Sequence, residues 1–372
     1  MINILEPDLT KKEISLVNNT LKKKHISSFG NLPILVKKKI SSMSGCNNVT
    51  LTSSGSAALI LGLKSLNLNK EDLVITTNYT FIASINSIIH TGHKPWIFDV
   101  SKKDLSIDLN HIEKILESET FKRGKYYYHK KLKKRISCIM PVFFCGLIPD
   151  LKKLSKISKK FNLKIISDCA GAFFSIIENK DIIKTSDIVI TSFNGNKTIT
   201  AGSGGALFSK NKKIYNKFNS LVDNSKYKHK YTHDDFGFNF KISSLHAAVL
   251  LGQLNRFFEI KKKKKFITDF YSKNLISKKF DFINSKDMLW VNLIKFKNLQ
   301  DKYLFISKTN KHKIKFEEFW VTMNNQKKLK SQMFFNSYKI SDNISKKVVA
   351  IPSSSTLKIK DLKLIVKTLT KF

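Results

Sequence analysis

Between about residue 50 and residue 210, short apolar runs alternate with segments whose apolar residues recur at helical spacing. The runs cover 49–53, 73–77, 95–100, 136–145, 163–168, 187–191 and 206–208. Leu59, Leu61, Leu63 and Leu66 follow the first run. Ile112 and Leu116 follow the third, and Leu151, Leu154, Ile157 and Phe161 follow the fourth. Strands alternating with helices predict an α/β domain with a mainly parallel sheet. Such sheets bind ligands beyond the C-terminal ends of their strands, so the residues just after each run are the first place to look for chemistry.

Four of those ends carry suggestive residues. Run 187–191 enters Ser192-Phe193-Asn194-Gly195-Asn196-Lys197, with Gly202, Gly204 and Gly205 just behind it. A lysine held in a turn between two strands, beside a serine hydroxyl, suits a dry place where its amine attacks an aldehyde. In a lysine-rich chain a solvated surface group is the ordinary alternative. Asp168 closes the preceding run. Together these are the pair that pyridoxal 5'-phosphate needs: an amine for its aldehyde, and a carboxylate that keeps the ring nitrogen protonated. Gly55 and Ser56 fall at a helix N-terminus, which is either a plain cap or a phosphate site. Phe81 follows the 73–77 run, where an aromatic is usually core.

This set resembles the sugar aminotransferases of the DegT/DnrJ/EryC1/StrS family, from about Glu6 to the Ile351-Pro352-Ser353-Ser354 segment. The resemblance implies an α/β, type I pyridoxal phosphate aminotransferase fold: a mainly parallel sheet flanked by helices, plus a smaller C-terminal α+β domain. The expected division is 1–250 for the large, cofactor-binding domain and 251–372 for the small one. It implies Lys197 and Asp168 as catalytic residues, and Gly55, Ser56, Phe81, Asp168, Ser192, Lys197 and Asn239 as cofactor-binding residues. Phe81 is to stack on the ring. Asn239, in Asp235-Phe236-Gly237-Phe238-Asn239-Phe240-Lys241, is to cross a dimer interface to the partner's phosphate.

The Ser192–Lys197 wording is most similar to the branch that aminates C4 of nucleotide sugars on the way to legionaminic-acid-like sugars. The implied reaction moves an amino group from L-glutamate to C4 of a 4-keto-6-deoxy nucleotide sugar, for surface-polysaccharide or nonulosonic-acid precursors. The implied assembly is a homodimer with shared active sites. A C3-specific enzyme, or a pyridoxal phosphate-binding relative with weak or altered activity, stands as the alternative. Gly171 departs from the family, which has Gln or Glu there beside the ring, and glycine is expected to leave that contact empty. Glu317-Glu318 stands where the family has Arg-Pro. Trp290 and Trp320 read as substrate-side aromatics or as core.

Composition offers a rival. The 372 residues include 67 basic and 28 acidic ones, a net charge of +39, which would suit a nucleic-acid or acidic-membrane partner. Against this, the lysines are spread along the chain, arginine appears only at 123, 135 and 256, and no reader motif is visible. No nucleic-acid or membrane partner is therefore expected. The basic, aromatic stretch 121–135 reads as a solvated loop, and the lysine run 261–265 as a solvated helix face. Cys46, Cys138, Cys145 and Cys169 show neither paired nor zinc-like spacing, so no metal site is expected. Free thiols, no signal-like N-terminus and no apolar stretch of membrane length predict a cytoplasmic protein.

Overall fold

The computed structural model describes all residues except 103, 227–230, 284–287, 310–312 and 372. Its large sheet runs in the order Val49–Thr52, Gly205–Phe208, Ile188–Ser192, Lys164–Asp168, Arg135–Ile139, Leu73–Thr77, Lys94–Phe98 and Phe334–Phe335. Gly205–Phe208 is antiparallel to both neighbours, and every other pair along this path is parallel. The central strands are buried along their whole length, which is why they read as unbroken Ile/Val-rich runs and not as alternating ones.

Helices cover both faces, and their ends are written in the sequence. Ser54 caps helix Gly55–Ser65 by accepting the Ala57 N–H at 3.1 Å. Asp150 does the same for helix Leu151–Phe161, which stops at Asn162 in a left-handed conformation.

Stretch 121–135 corrects the loop expectation. Thr120–Arg123 and Tyr126–His129 form an antiparallel hairpin whose second strand pairs with the start of Arg135–Ile139. Gly124, at φ 60°, supplies the left-handed residue that a two-residue hairpin turn demands. The consecutive tyrosines are good strand formers, and charge had outweighed them in the sequence reading.

A second sheet, antiparallel throughout, runs Phe280–Ile283, Asn292–Phe296, Val348–Ile351 and Glu317–Glu318. Helices Phe257–Asn274 and Ile359–Thr370 bury Ile267, Tyr271, Leu362, Ile365 and Leu369 against it. The chain's start is bound here as well: the Ser353 N–H donates to the Ile4 carbonyl at 2.7 Å. Among the described residues no helix is long and apolar enough to cross a membrane.

Candidate active site

The parallel strands of the large sheet end along one edge, and a cavity of about 680 Å³ opens there. Six of the seven expected site residues line it: Gly55, Ser56, Phe81, Asp168, Ser192 and Lys197. Asn239 does not. Its backbone forms a bridge with Asp223, outside the cavity of its own chain.

Asp168 is the last residue of its strand, and its backbone is held on both sides by Pro141 O and the Phe143 N–H, each at 2.9 Å. Its carboxylate accepts the Ser84 hydroxyl at 2.7 Å and the Ala170 N–H at 3.1 Å. Burial raises its pKa, and the Ser84 and Ala170 hydrogen bonds and the Lys197 charge oppose that rise. An ionised carboxylate offers about four acceptor positions, and two are filled here. A buried anion with spare acceptor capacity, facing a cavity, fits a protonated ring nitrogen.

Lys197 sits in a turn that holds itself closed. Its N–H donates to Asn194 O at 2.9 Å, as does the Thr200 hydroxyl, and the Ala201 N–H reaches Phe193 O at 2.8 Å. Phe193 points into the core and anchors the turn from beneath. The residue is half-buried overall, with its amine in the enclosed part of the cavity. Burial pulls the amine's pKa down to about 7, against the pull of Asp168. Such an amine is substantially neutral, hence nucleophilic, near neutral pH.

The remaining residues complete a cradle. A Cβ on Gly55 would stand 2.8 Å from Ser192 Cβ, so glycine is what allows this helix start to meet the strand end that leads to Lys197. Ser56 is exposed in the first turn, where unpaired N–H groups and the helix dipole favour a phosphate. Phe81 is 54% exposed toward the cavity, with its ring centroid 5.8 Å from that of Trp320. The carboxylate, the amine, the helix N-terminus and an available aromatic face together fit pyridoxal phosphate.

Several features escaped the sequence reading. Ser84 orients Asp168, and its only signal was its spacing of four from Thr80, whose hydroxyl lies 2.9 Å away. The contact at Gly171 is not empty. Trp290 fills it, and both Trp290 and Trp320 line the cavity. Glu317 and Glu318 stand at the cavity as well. Lys264, in the supposedly solvated run, is buried, and its amine donates to Trp290 O at 2.6 Å and to Ser353 O. Nothing in a run of five lysines marks that one.

The family model of the DegT/DnrJ/EryC1/StrS aminotransferase family matches residues 7–370. A GDP-perosamine synthase of Escherichia coli O157:H7 is 32% identical over 277 residues, which are 74% of this chain and 72% of that protein. A UDP-4-amino-4,6-dideoxy-N-acetyl-beta-L-altrosamine transaminase of Campylobacter jejuni is 30% identical over 232 residues, 62% of this chain and 58% of that protein. Among solved structures, Helicobacter pylori PseC, an aminotransferase involved in the biosynthesis of pseudoaminic acid, superposes with a TM-score of 0.88 at 19% identity. That likeness covers 99% of this chain and 98% of that one, and it identifies the fold. The chain belongs to the DegT/DnrJ/EryC1/StrS family of pyridoxal phosphate-dependent aminotransferases, which act on nucleotide-linked sugars.

Proposed function

We propose that this enzyme transfers an amino group from L-glutamate to C4 of a 4-keto-6-deoxy nucleotide sugar, in the cytoplasm. The observation that carries the reading is Lys197, its amine lowered to about 7 and facing the same cavity as Asp168, within the Ser192–Lys197 wording typical of C4 amination. The Campylobacter relative, whose name places its amino group at C4 of a dideoxy sugar, supports the position. Glutamate as donor rests on the resemblance.

The roles divide by chemistry. Bound in the cavity, pyridoxal phosphate supplies an aldehyde that exchanges amines and a ring that accepts an electron pair. Asp168 holds the proton on the ring nitrogen, and Ser84 fixes that carboxylate in place. The first turn of helix Gly55–Ser65, with Ser56 and Ser192, receives the phosphate. Phe81, whose exposed ring faces the cavity, would pack against the ring. Lys197 would be the residue that anchors the cofactor, and its free amine would take the proton from the donor's α-carbon and return one to the sugar carbon. With a pKa of about 7 it can do both near neutral pH.

Two further assignments belong to the same reading. Asn239 serves the phosphate of a second copy, so the active species is a homodimer. The chain divides at 250/251 into cofactor-binding and small domains, a division limited proteolysis would test. Mixing inactive Lys197→Ala and Asn239→Ala chains should restore activity through hybrid dimers. No recovery despite demonstrated exchange would remove the shared site. For the reaction itself, the protein is incubated with pyridoxal phosphate, glutamate and a panel of 3-keto and 4-keto nucleotide sugars, and products are read by mass spectrometry. Amination at C4 supports the proposal, and amination confined to C3 overturns it.

A further inference from the structure

We propose that Trp290 is a positioning residue for Lys197, and that residue 171 is glycine because the indole needs the volume that any side chain there would take. The proposal rests on the reading of Lys197 as the cofactor-bearing lysine.

The first observation is volume. A Cβ built on Gly171 would lie 2.4 Å from Trp290 Cε3 and 2.9 Å from Cζ3, so even alanine is excluded while the ring stays where it is. A void of only about 10 Å³ lies beside them, bordered also by Phe173, Phe174, Ser192 and Lys197. Trp290 is itself only 4% exposed. Ring and glycine therefore form one packed unit in the wall beside the cavity.

The second is attachment. The indole Nε1–H donates to Asn196 O at 2.8 Å, and the Thr198 hydroxyl donates to Leu289 O at 3.1 Å. The residues on either side of Lys197 are thus tied to Trp290 and to the residue before it. Lys264 then fixes Trp290 from behind through its carbonyl. The segment that carries Leu289 and Trp290 leads into strand Asn292–Phe296, so the small sheet is tied to the lysine turn at both residues.

The third is contact. The Lys197 amine lies 3.3 Å from the centroid of the Trp290 ring system. The indole face blocks the amine on the Gly171 side and leaves it the cavity. It also offers a negative electrostatic face to the protonated form. Asp168 and Cys145 are the titratable groups that act on the amine, and Glu317, Glu318 and Lys315 line the same cavity.

The test uses cofactor-free protein. Lys197 is acetylated with acetic anhydride across a pH series, and the extent is read by peptide mass spectrometry. Pyridoxal phosphate binding is titrated in parallel by absorbance. Trp290→Leu keeps the site apolar but removes the π face and the indole N–H. It should lower the midpoint of Lys197 acetylation by at least about half a pH unit and weaken cofactor binding about tenfold or more. Gly171→Ala, which must displace the ring, should weaken cofactor binding by a similar factor. The double variant should then be no worse than either single one, because both remove the same contact. Trp290→Phe keeps an aromatic face, so it should stay within about threefold of the unsubstituted protein in cofactor binding. It carries the test if Trp290→Leu does not fold. An unchanged or raised midpoint in Trp290→Leu, additive losses in the double variant, or a tenfold loss in folded Trp290→Phe would each overturn the proposal. Failure of the cofactor reading is distinguishable, because it shows in the unsubstituted protein as a borohydride-fixed label away from Lys197.

Discussion

Among the described residues, burial pulls the amine pKa of two lysines, Lys197 and Lys264, down to about 7. By that measure Lys197 and Lys264 are equals. Their surroundings are not. Lys264, on helix Phe257–Asn274, spends its hydrogen atoms on two main-chain carbonyls, Trp290 O and Ser353 O, which belong to two different segments of the small sheet's surroundings. Lys197 makes no side-chain hydrogen bond among the described residues and meets only a ring face on one side and the cavity on the other. A lowered pKa marks burial. The unfilled bonding capacity, facing open space, marks the lysine available for chemistry.

The largest expected effect follows from that contrast. Lys197→Ala should fold, lose the visible absorption of bound cofactor and reduce transamination by at least about a thousandfold, as expected for loss of a covalent catalyst. Borohydride reduction and peptide mapping of the unsubstituted protein should place the label on Lys197 and leave Lys264 bare. A label on Lys264 would break the comparison outright.

Lys264→Met should reverse the pattern. It leaves Trp290 O and Ser353 O without their buried donor, at a cost of about 1–3 kcal/mol per unsatisfied group, partly offset by removing a buried amine. A lower denaturation midpoint with the cofactor still attached at Lys197 is the expected result. Loss of attachment at unchanged stability would give Lys264 a role in the chemistry.

The pH dependence sharpens the same pair. An amine whose folded pKa is about 7 and whose ordinary value is 10.5 is charged in the unfolded chain but neutral in the folded one between those limits. The unfolded state then binds more protons, so stability rises with pH in that window, by up to about 1.4 kcal/mol per pH unit for each such group. Below pH 7 both states are protonated and the slope disappears. Cofactor-free protein should therefore become more stable to urea between pH 7 and about 8.5, and Lys264→Met should have a shallower slope than its parent. Equal slopes would mean that Lys264 stays charged when folded.

The contrast also shows what could be read in the chain itself. Strand ends were legible because buried parallel strands are continuous apolar runs, and that placed Gly55, Phe81, Asp168, Ser192 and Lys197 along one edge. Capping by Ser54 and Asp150 is local, yet neither residue was singled out from the sequence. What was hidden depends on partners far away in the chain. Gly171 looked like a gap until Trp290, more than a hundred residues later, proved to fill it. Lys264 looked like its neighbours because side-chain identity says nothing about which member of a charge run faces inward. The 120–129 hairpin was masked by its charge, although its tyrosines and Gly124 carried the signal.

The smallest expected effect tests that last point within a single run. Lys262 and Lys265 flank Lys264 on the same helix and are exposed, and Lys265 pairs with Asp269 one turn on, at 3.0 Å. An exposed i,i+4 pair of this kind contributes only a few tenths of a kcal/mol, because water screens it and ordering two long side chains costs entropy. Lys262→Ala and Lys265→Ala should therefore each shift stability by no more than about 0.5 kcal/mol and leave cofactor binding and transamination unchanged. Of these three lysines, only Lys264 reaches main-chain acceptors in the wall behind the cavity. Urea melts of the three single variants, side by side, measure the difference. A loss at Lys265 as large as that at Lys264 would mean that the helix as a whole responds to lost charge, and that the two buried carbonyls are not what Lys264 is there to satisfy.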